Sequence, residues 1–355
     1  MSKRHNVKAH ITGNIWKITT TVGAEVSEGD TLVIMESMKM EMPVESEVSG
    51  RVVEIPAKEG TPAQEGQILV IIEEKRASVS FPVFQAACAV IIVLTLAAMA
   101  RRVPWGTLLR DYFALALAGY LGEQSCIVLY QYYRYSTAWS LRVGDVPLLV
   151  PLIWPLVVMS ARSVAAALWP GIRDEVQRAV VVAAIVAFDA SLVEVVAVRA
   201  GLWSWAEPGH LGVPVIGILG WGYFAGAADY VLGQTHRLRH LLLLAFAPLV
   251  THLLLVGSWW ALFRHSLRAD LGKSGLDTML ALGMLAFALV LRARRRGHTI
   301  PFAVALPRMI AASLFVVLLV TVAAHDSRYW LHTCAIALPY LVATSFRPER
   351  PLPSR

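Results

Sequence analysis

The 355-residue sequence predicts a small all-β flattened barrel followed by an all-α polytopic membrane domain of eight or nine helices. Three observations carry this. The head of the chain matches itself when shifted by 37 residues. Later segments form a series of apolar runs, most of them near the ~20 residues that a bilayer-spanning helix needs. Composition agrees: 56% hydrophobic and 16% charged, against roughly 45–50% and about 25% in soluble domains. The apolar excess begins after Phe81. The boundaries read as a β domain over 1–76, a linker over 77–81, a multi-pass domain over 82–345 and a polar tail over 346–355.

In the internal repeat, Gly13-Asn14-Ile15-Trp16-Lys17-Ile18 falls on Gly50-Arg51-Val52-Val53-Glu54-Ile55. Gly23 meets Gly60, Glu28-Gly29 meets Glu65-Gly66, and Leu32-Val33-Ile34 meets Leu69-Val70-Ile71. Each copy reads as short strands rich in Val, Ile and Thr, broken by turn glycines. One copy alone leaves an apolar face open; two packed face to face close a single core with approximate twofold symmetry. The copies differ where chemistry would sit. The first runs on through Glu36-Ser37-Met38-Lys39-Met40-Glu41-Met42-Pro43, whereas the equivalent of Lys39 in the second is Arg76, where the domain gives way to the apolar region. Only the first copy keeps a hairpin tip bearing a lysine.

Over roughly residues 9–74 the head resembles the biotinyl domains of biotin-dependent carboxylases. The resemblance rests on the Gly13 strand start, the Val22-Gly23, Val26 and Glu28-Gly29-Asp30 turn, Glu36-Ser37-Met38-Lys39-Met40, the Gly50 return and Val70-Ile71-Ile72-Glu73. Ser37 stands where the family usually has Ala, and His10-Ile11-Thr12-Gly13 where it often has Pro-Met-Pro-Gly. The resemblance implies a biotinyl/lipoyl-type fold, covalent biotin on Lys39 and biotin protein ligase as a partner. Met38 and Met40 would offer soft apolar contacts to that ligase and to partner enzymes. Lipoyl domains share the fold, but their lysine typically follows Asp and precedes Ala, so Met-Lys-Met favours biotin.

Apolar segments fall near 82–100, 112–131, 145–168, 179–200, 211–233, 239–263, 276–292, 302–324 and 329–344, the seventh and ninth being short. Met1-Ser2-Lys3-Arg4-His5 runs into polar sequence, so no secretory signal is expected. A biotin ligase acts in the cytosol, which sets the head on the cytoplasmic side. The loops richest in arginine (Arg101, Arg102, Arg110; Arg162, Arg173, Arg178; Arg292 to Arg296) then fall outside, against the positive-inside tendency.

Ionisable residues inside apolar helices are costly and are functional candidates by default. They are Glu123, Asp189, Glu194, Asp229 and His252. Asp189 and Glu194 stand five apart, roughly 140° around a helix, and do not form a pair on one face. Residues 120–233 resemble the carotenoid-biosynthesis membrane family whose best-known members hydrate a terminal carotenoid double bond. Three blocks carry the resemblance. Glu123 is followed by Tyr133-Arg134-Tyr135 and Val146-Pro147-Leu148-Leu149-Val150-Pro151-Leu152-Ile153-Trp154. Asp189 precedes Gly201-Leu202-Trp203-Ser204-Trp205. Pro208 comes with Gly212-Val213-Pro214 and Leu219-Gly220-Trp221. The chain departs from the family's Asp-Pro at Asp189-Ala190, and from its usual Asn at Gly217. Hydration would need an acid to protonate the alkene and a base to activate water. The resemblance implies an isoprenoid substrate, with Glu123 and Asp189 as the carboxyl candidates and Tyr133 and Tyr135 as helpers. Trp203, Trp205 and Trp221 read either as an interfacial aromatic belt or as π faces toward a cation; the belt is the commoner arrangement.

Other classes find little support. The net charge of +7 comes mostly from arginines in short loops, a pattern suited to anionic lipid, and no nucleic-acid motif is present. Cys88, Cys126 and Cys334 are far apart with no metal-ligand spacing. His236 and His240 have an HxxxH spacing, but the other histidines are scattered singly, and no metal site is expected. Three functions remain. The chain is a membrane-tethered biotin carboxyl carrier of the acetyl-CoA carboxylase kind, served by biotin carboxylase and carboxyltransferase chains in trans. Or it is a carotenoid hydratase-like enzyme with the head as accessory module, its fusion reflecting localisation alone. Or it is a membrane biotin-dependent decarboxylase coupled to ion transport.

Overall fold

The computed structural model describes residues 4–26, 29–37, 40–48, 50–74, 79–207, 209–263, 271–324 and 326–346. These form two compact units, 1–78 and 79–355.

The first unit is two four-stranded antiparallel sheets built from β1 (Arg4–Lys8), β2 (Gly13–Ile18), β3 (Glu25–Val26), β4 (Thr31–Ser37), β5 (Met40–Glu45), β6 (Gly50–Glu54), β7 (Pro62–Ala63) and β8 (Ile68–Glu74). Their orders are β1-β8-β6-β3 and β5-β4-β2-β7. The sequence repeat maps one sheet onto the other. It takes β2 to β6, β3 to β7, β4 to β8 and β1 to β5. Hydrogen bonds repeat with it: Gly23 N–H donates to Val52 O at 2.7 Å, and Gly60 N–H to Ile15 O at 2.8 Å. So do close approaches. A Cβ on Gly13 would collide with the Glu36 carbonyl, and one on Gly50 with the Glu73 carbonyl. Alternation on each strand turns Val7, Ile15, Val33, Met35, Val52, Val70 and Ile72 into one buried core.

In the second unit nine α-helices lie among the described residues. They are α1 (Phe81–Ala100), α2 (Trp105–Tyr130), α3 (Leu149–Leu168), α4 (Glu175–Arg199), α5 (Val215–Gly233), α6 (Arg239–Leu255), α7 (Leu271–Arg295), α8 (Phe302–Ala323) and α9 (Ser327–Ala343). A π-helical stretch, Val256–Phe263, continues α6. Eight of the helices, α1 to α8, are long and apolar enough to cross a membrane. Large side chains such as Val93, Phe113, Leu253 and Val317 remain exposed on them, as lipid-facing surfaces require. The protein is a multi-pass membrane protein.

Small residues let α4 and α5 approach closely: a Cβ on Gly222 would sit 2.9 Å from Ala183 O, and one on Gly226 3.0 Å from Ala183 Cβ. Two short ladders join opposite ends of the bundle. β9 (Tyr133–Tyr135) after α2 pairs antiparallel with β12 (Trp203–Trp205) after α4, and between them in sequence β10 (Arg142–Val143) and β11 (Val146–Pro147) form a small hairpin before α3. β13 (Ile300–Pro301) before α8 pairs with β14 (Thr344–Ser345) after α9.

Candidate functional site

The β9–β12 ladder builds the site. Tyr-Arg-Tyr and Trp-Ser-Trp alternate, so a strand conformation puts the aromatic residues of each on one face. Tyr135 pairs with Trp203 and Tyr133 with Trp205. Arg134 and Ser204, facing the other way, are exposed.

The aromatic face covers two carboxyl groups, that of Glu194 buried and that of Glu123 half-buried. Glu123 on α2 accepts hydrogen bonds on Oε2 from the hydroxyls of Tyr133 and, at 2.9 Å, Tyr135, and on Oε1 from Trp154 Nε1 at 3.0 Å. Glu194 on α4 accepts on Oε2 from Trp203 Nε1 at 2.8 Å and Trp205 Nε1 at 2.9 Å, and on Oε1 from Trp221 Nε1 at 2.7 Å. Both carboxyls line one cavity of about 70 Å³ whose walls include Tyr133, Trp154, Trp205, Trp221 and Phe224. All six donors are neutral. Trp154 and Trp221 rings lie 4.7 Å apart, and Tyr133 and Trp205 rings 4.9 Å apart. The cavity therefore offers two carboxyl groups, π faces and room for water.

Each carboxyl oxygen has two lone-pair positions. In both residues Oε2 is filled by two donors and Oε1 by one, so one position on each Oε1 is left. The donors differ in kind. Indole N–H groups only donate, so three of them hold Glu194 as an acceptor. Tyrosine hydroxyls donate or accept, so Glu123 can carry a proton and pass a hydrogen bond back to Tyr133 or Tyr135.

The residues expected from sequence separate into groups. Glu123, Tyr133 and Tyr135 come together. Asp189 does not line this cavity. It is in an ion pair with Arg308 of α8 and accepts from the Tyr340 hydroxyl at 2.6 Å, while Arg308 also reaches Ser160 Oγ at 2.9 Å. Asp189 thus joins α3, α4, α8 and α9. Glu194 occupies the place beside Glu123 that Asp189 was expected to fill, and its signal was the tryptophan cluster downstream. Those tryptophans are not spread as a belt; their N–H groups converge on one carboxylate. Asp229 is fully buried against Arg178 at 2.9 Å and Arg162 at 3.5 Å. His252 bridges Ser125 Oγ at 2.8 Å and the Tyr130 hydroxyl at 3.1 Å. His240 contacts Asp111 at 2.6 Å, while His236 Nδ1 accepts from Leu238 N–H at 3.1 Å. Among the described residues no group of three or more His, Cys, Asp or Glu could hold a metal ion.

Gly217, at the start of α5, has a spatial reason. A Cβ there would lie 2.5 Å from Trp205 Cζ2 and 2.9 Å from Cη2. The indole of Trp205 lies in the space that a side chain at 217 would take, and from there it reaches Glu194.

In the first unit, Met38 and Lys39 lie outside the described residues. The strands that flank them are paired up to Ser37 and Met40. Met40 is 65% exposed, and Ser37 Oγ donates to Thr12 O at 3.1 Å.

Residues 7–72 match the family model described as Biotin-requiring enzyme, and residues 79–314 the one described as Carotenoid biosynthesis protein. Among curated relatives, a "Biotinylated protein TB7.3 homolog" of Mycolicibacterium smegmatis is 46% identical over 39 residues, 11% of this chain and 55% of that protein. The "Biotin/lipoyl attachment protein" of Bacillus subtilis is 39% identical over 41 residues, 12% of this chain and 56% of that one. The chain spans about half the length of these curated relatives. Among solved structures, Kluyveromyces lactis urea carboxylase is similar at 33% identity over 20% of this chain and 6% of that one, with a TM-score of 0.20. A multi-domain long-chain acyl-CoA carboxylase is similar at 19% identity over 25% and 9%, also at 0.20. The chain belongs to the carotenoid biosynthesis protein family and carries a biotin/lipoyl attachment domain ahead of its membrane unit.

Proposed function

We propose that the membrane unit adds water to the terminal double bond of an isoprenoid chain, with Glu123 as acid and Glu194 as base. The observation that carries this is the sharing of one cavity by two carboxyl groups with different donor sets. The proton on Glu123 passes to the CH carbon of the terminal (CH3)2C=CH group, leaving a tertiary cation on the dimethyl carbon. Water attacks that cation while Glu194 Oε1 takes its proton, giving a tertiary alcohol. The faces of Trp154, Trp205 and Trp221 stabilise the cation through their π electrons. A proton returning from Glu194 to Glu123 resets the site. Glu194 here takes the role the motif order suggested for Asp189. In cells that make lycopene-type carotenoids, the wild type yields a hydroxylated product, and Glu123→Gln and Glu194→Gln do not. No product from well-expressed wild type removes this reading.

The second reading concerns the attachment domain. We infer that Lys39 carries covalent biotin and that Met38 and Met40 contact the ligase that acylates it. The exposure of Met40 and the paired strands leading to Ser37 and Met40 support a hairpin that carries the modified lysine, and the Met-Lys-Met sequence with the name of the Mycolicibacterium smegmatis relative supports biotin over lipoate. Bound biotin would supply a nitrogen that carries a carboxyl group between two active sites. In this reading the head is cytoplasmic and works with biotin carboxylase and carboxyltransferase chains in trans. Avidin blotting tests it: wild type gives a signal and Lys39→Ala none. An equal signal from both ends the assignment.

A further inference from the structure

A second cavity, of about 350 Å³, opens at the end of the bundle where α3 finishes, α4 begins and α7 ends. It is separate from the carboxylate cavity and shares no residue with it. Leu289 and Arg292 line it from one face of α7, three residues apart, and Arg296 from the turn directly after that helix. Leu168 and Trp169 line it from the end of α3, and His298 follows α7. Among the described residues no acidic side chain lines the cavity, and neither Arg292 nor Arg296 is in a salt bridge. Arg294, between them, is already used, donating to Val342 O.

We propose that this cavity holds the headgroup of an anionic glycerophospholipid. Two guanidinium groups without partners match the oxygens of one phosphate, which they can bind in bidentate fashion. Leu168, Leu289 and the Trp169 ring supply an apolar floor for the carbons next to it. Depth argues for the same occupant. The cavity lies where spanning helices end, at the level of lipid phosphates, and tryptophan is enriched at that level. A volume of about 350 Å³ is at the small end for ligand pockets, enough for a headgroup and too small for a whole lipid. The acyl chains would extend along the bundle surface.

The test is native mass spectrometry of the full chain with phosphatidylglycerol or phosphatidylcholine. The double variant Arg292→Glu, Arg296→Glu is set beside Arg237→Glu, Arg295→Glu, which changes the same charge at exposed arginines outside the cavity. Phosphatidylglycerol retention falls about tenfold or more in the first variant and stays within about twofold of wild type in the second. Equal losses in both variants would reduce the effect to diffuse charge and overturn the site. No loss in either, or equal retention of phosphatidylcholine by wild type, overturns it too. Displacement of the lipid by millimolar inorganic phosphate would show a free-anion site instead.

Discussion

Replacing Gly217 by Ala tests whether the site depends on the packing of Trp205. The added Cβ would stand 2.5 Å from Trp205 Cζ2, whereas ordinary contact begins at 3.4 Å, so the ring must retreat by about 0.9 Å. Trp205 Nε1 now sits 2.9 Å from Glu194 Oε2, and a shift of that size weakens or breaks the bond. Losing a hydrogen bond to a charged group costs about 1.5–3 kcal/mol. Alanine returns up to about 1 kcal/mol in helix propensity. With that full return the net loss is about 0.5–2 kcal/mol, or roughly 1–8 °C in melting temperature for a domain of this size. Thermal unfolding in detergent, followed by size exclusion, measures it. Gly220→Ala is the control, because its Cβ would meet only Leu255 Cδ2, at 3.7 Å; it melts at or slightly above the wild-type temperature. A Gly217→Ala protein as stable as Gly220→Ala would refute the packing argument.

Three further outcomes are expected. Tyr135→Phe removes one hydroxyl from Glu123 and lowers hydration about 10-fold to 100-fold with folding intact; unchanged product formation in a membrane assay would show that the hydroxyl is not used. Asp189→Asn leaves Arg308 without its charged partner. Breaking a half-buried pair this way costs less than the about 3–5 kcal/mol of a fully buried one but is visible as earlier melting, and wild-type stability would show that the pair is dispensable. Lys39→Arg keeps the charge but not the acylable amine, so the tryptic peptide carrying this position remains at its unmodified mass in a ligase-competent host, while wild type shows the added mass of biotin.

The β domain was legible because its repeat is a covalent record of its symmetry. Gly13 and Gly50 mark equivalent strand starts, and the spacing that aligns them also relates the two sheets. The helices were legible from hydropathy, since lipid-exposed residues such as Val93 and Leu253 must be apolar whatever their neighbours are. Glu123 was legible as an ionisable residue inside an apolar run, and Tyr133 and Tyr135 through the family resemblance that places them just after it. The choice between Asp189 and Glu194 was not. Both lie on α4 five residues apart, and which one faces the cavity depends on Arg308 and Tyr340 more than a hundred residues later. The direction of the tryptophans had the same obstacle. An indole N–H shows its partner only when β12 is laid beside β9 and the space at Gly217 is known.

Isotope labelling of the product bears most directly on the paired carboxyls. Membranes containing the protein are supplied with a lycopene-type carotenoid in ¹⁸O-labelled D₂O, and the product is read by mass spectrometry. Water addition by Glu123 and Glu194 predicts one solvent oxygen in the new hydroxyl and one non-exchangeable deuterium on the neighbouring carbon, both absent with Glu123→Gln. A product whose oxygen comes from O₂, or one without the carbon-bound deuterium, would contradict acid–base hydration in this cavity.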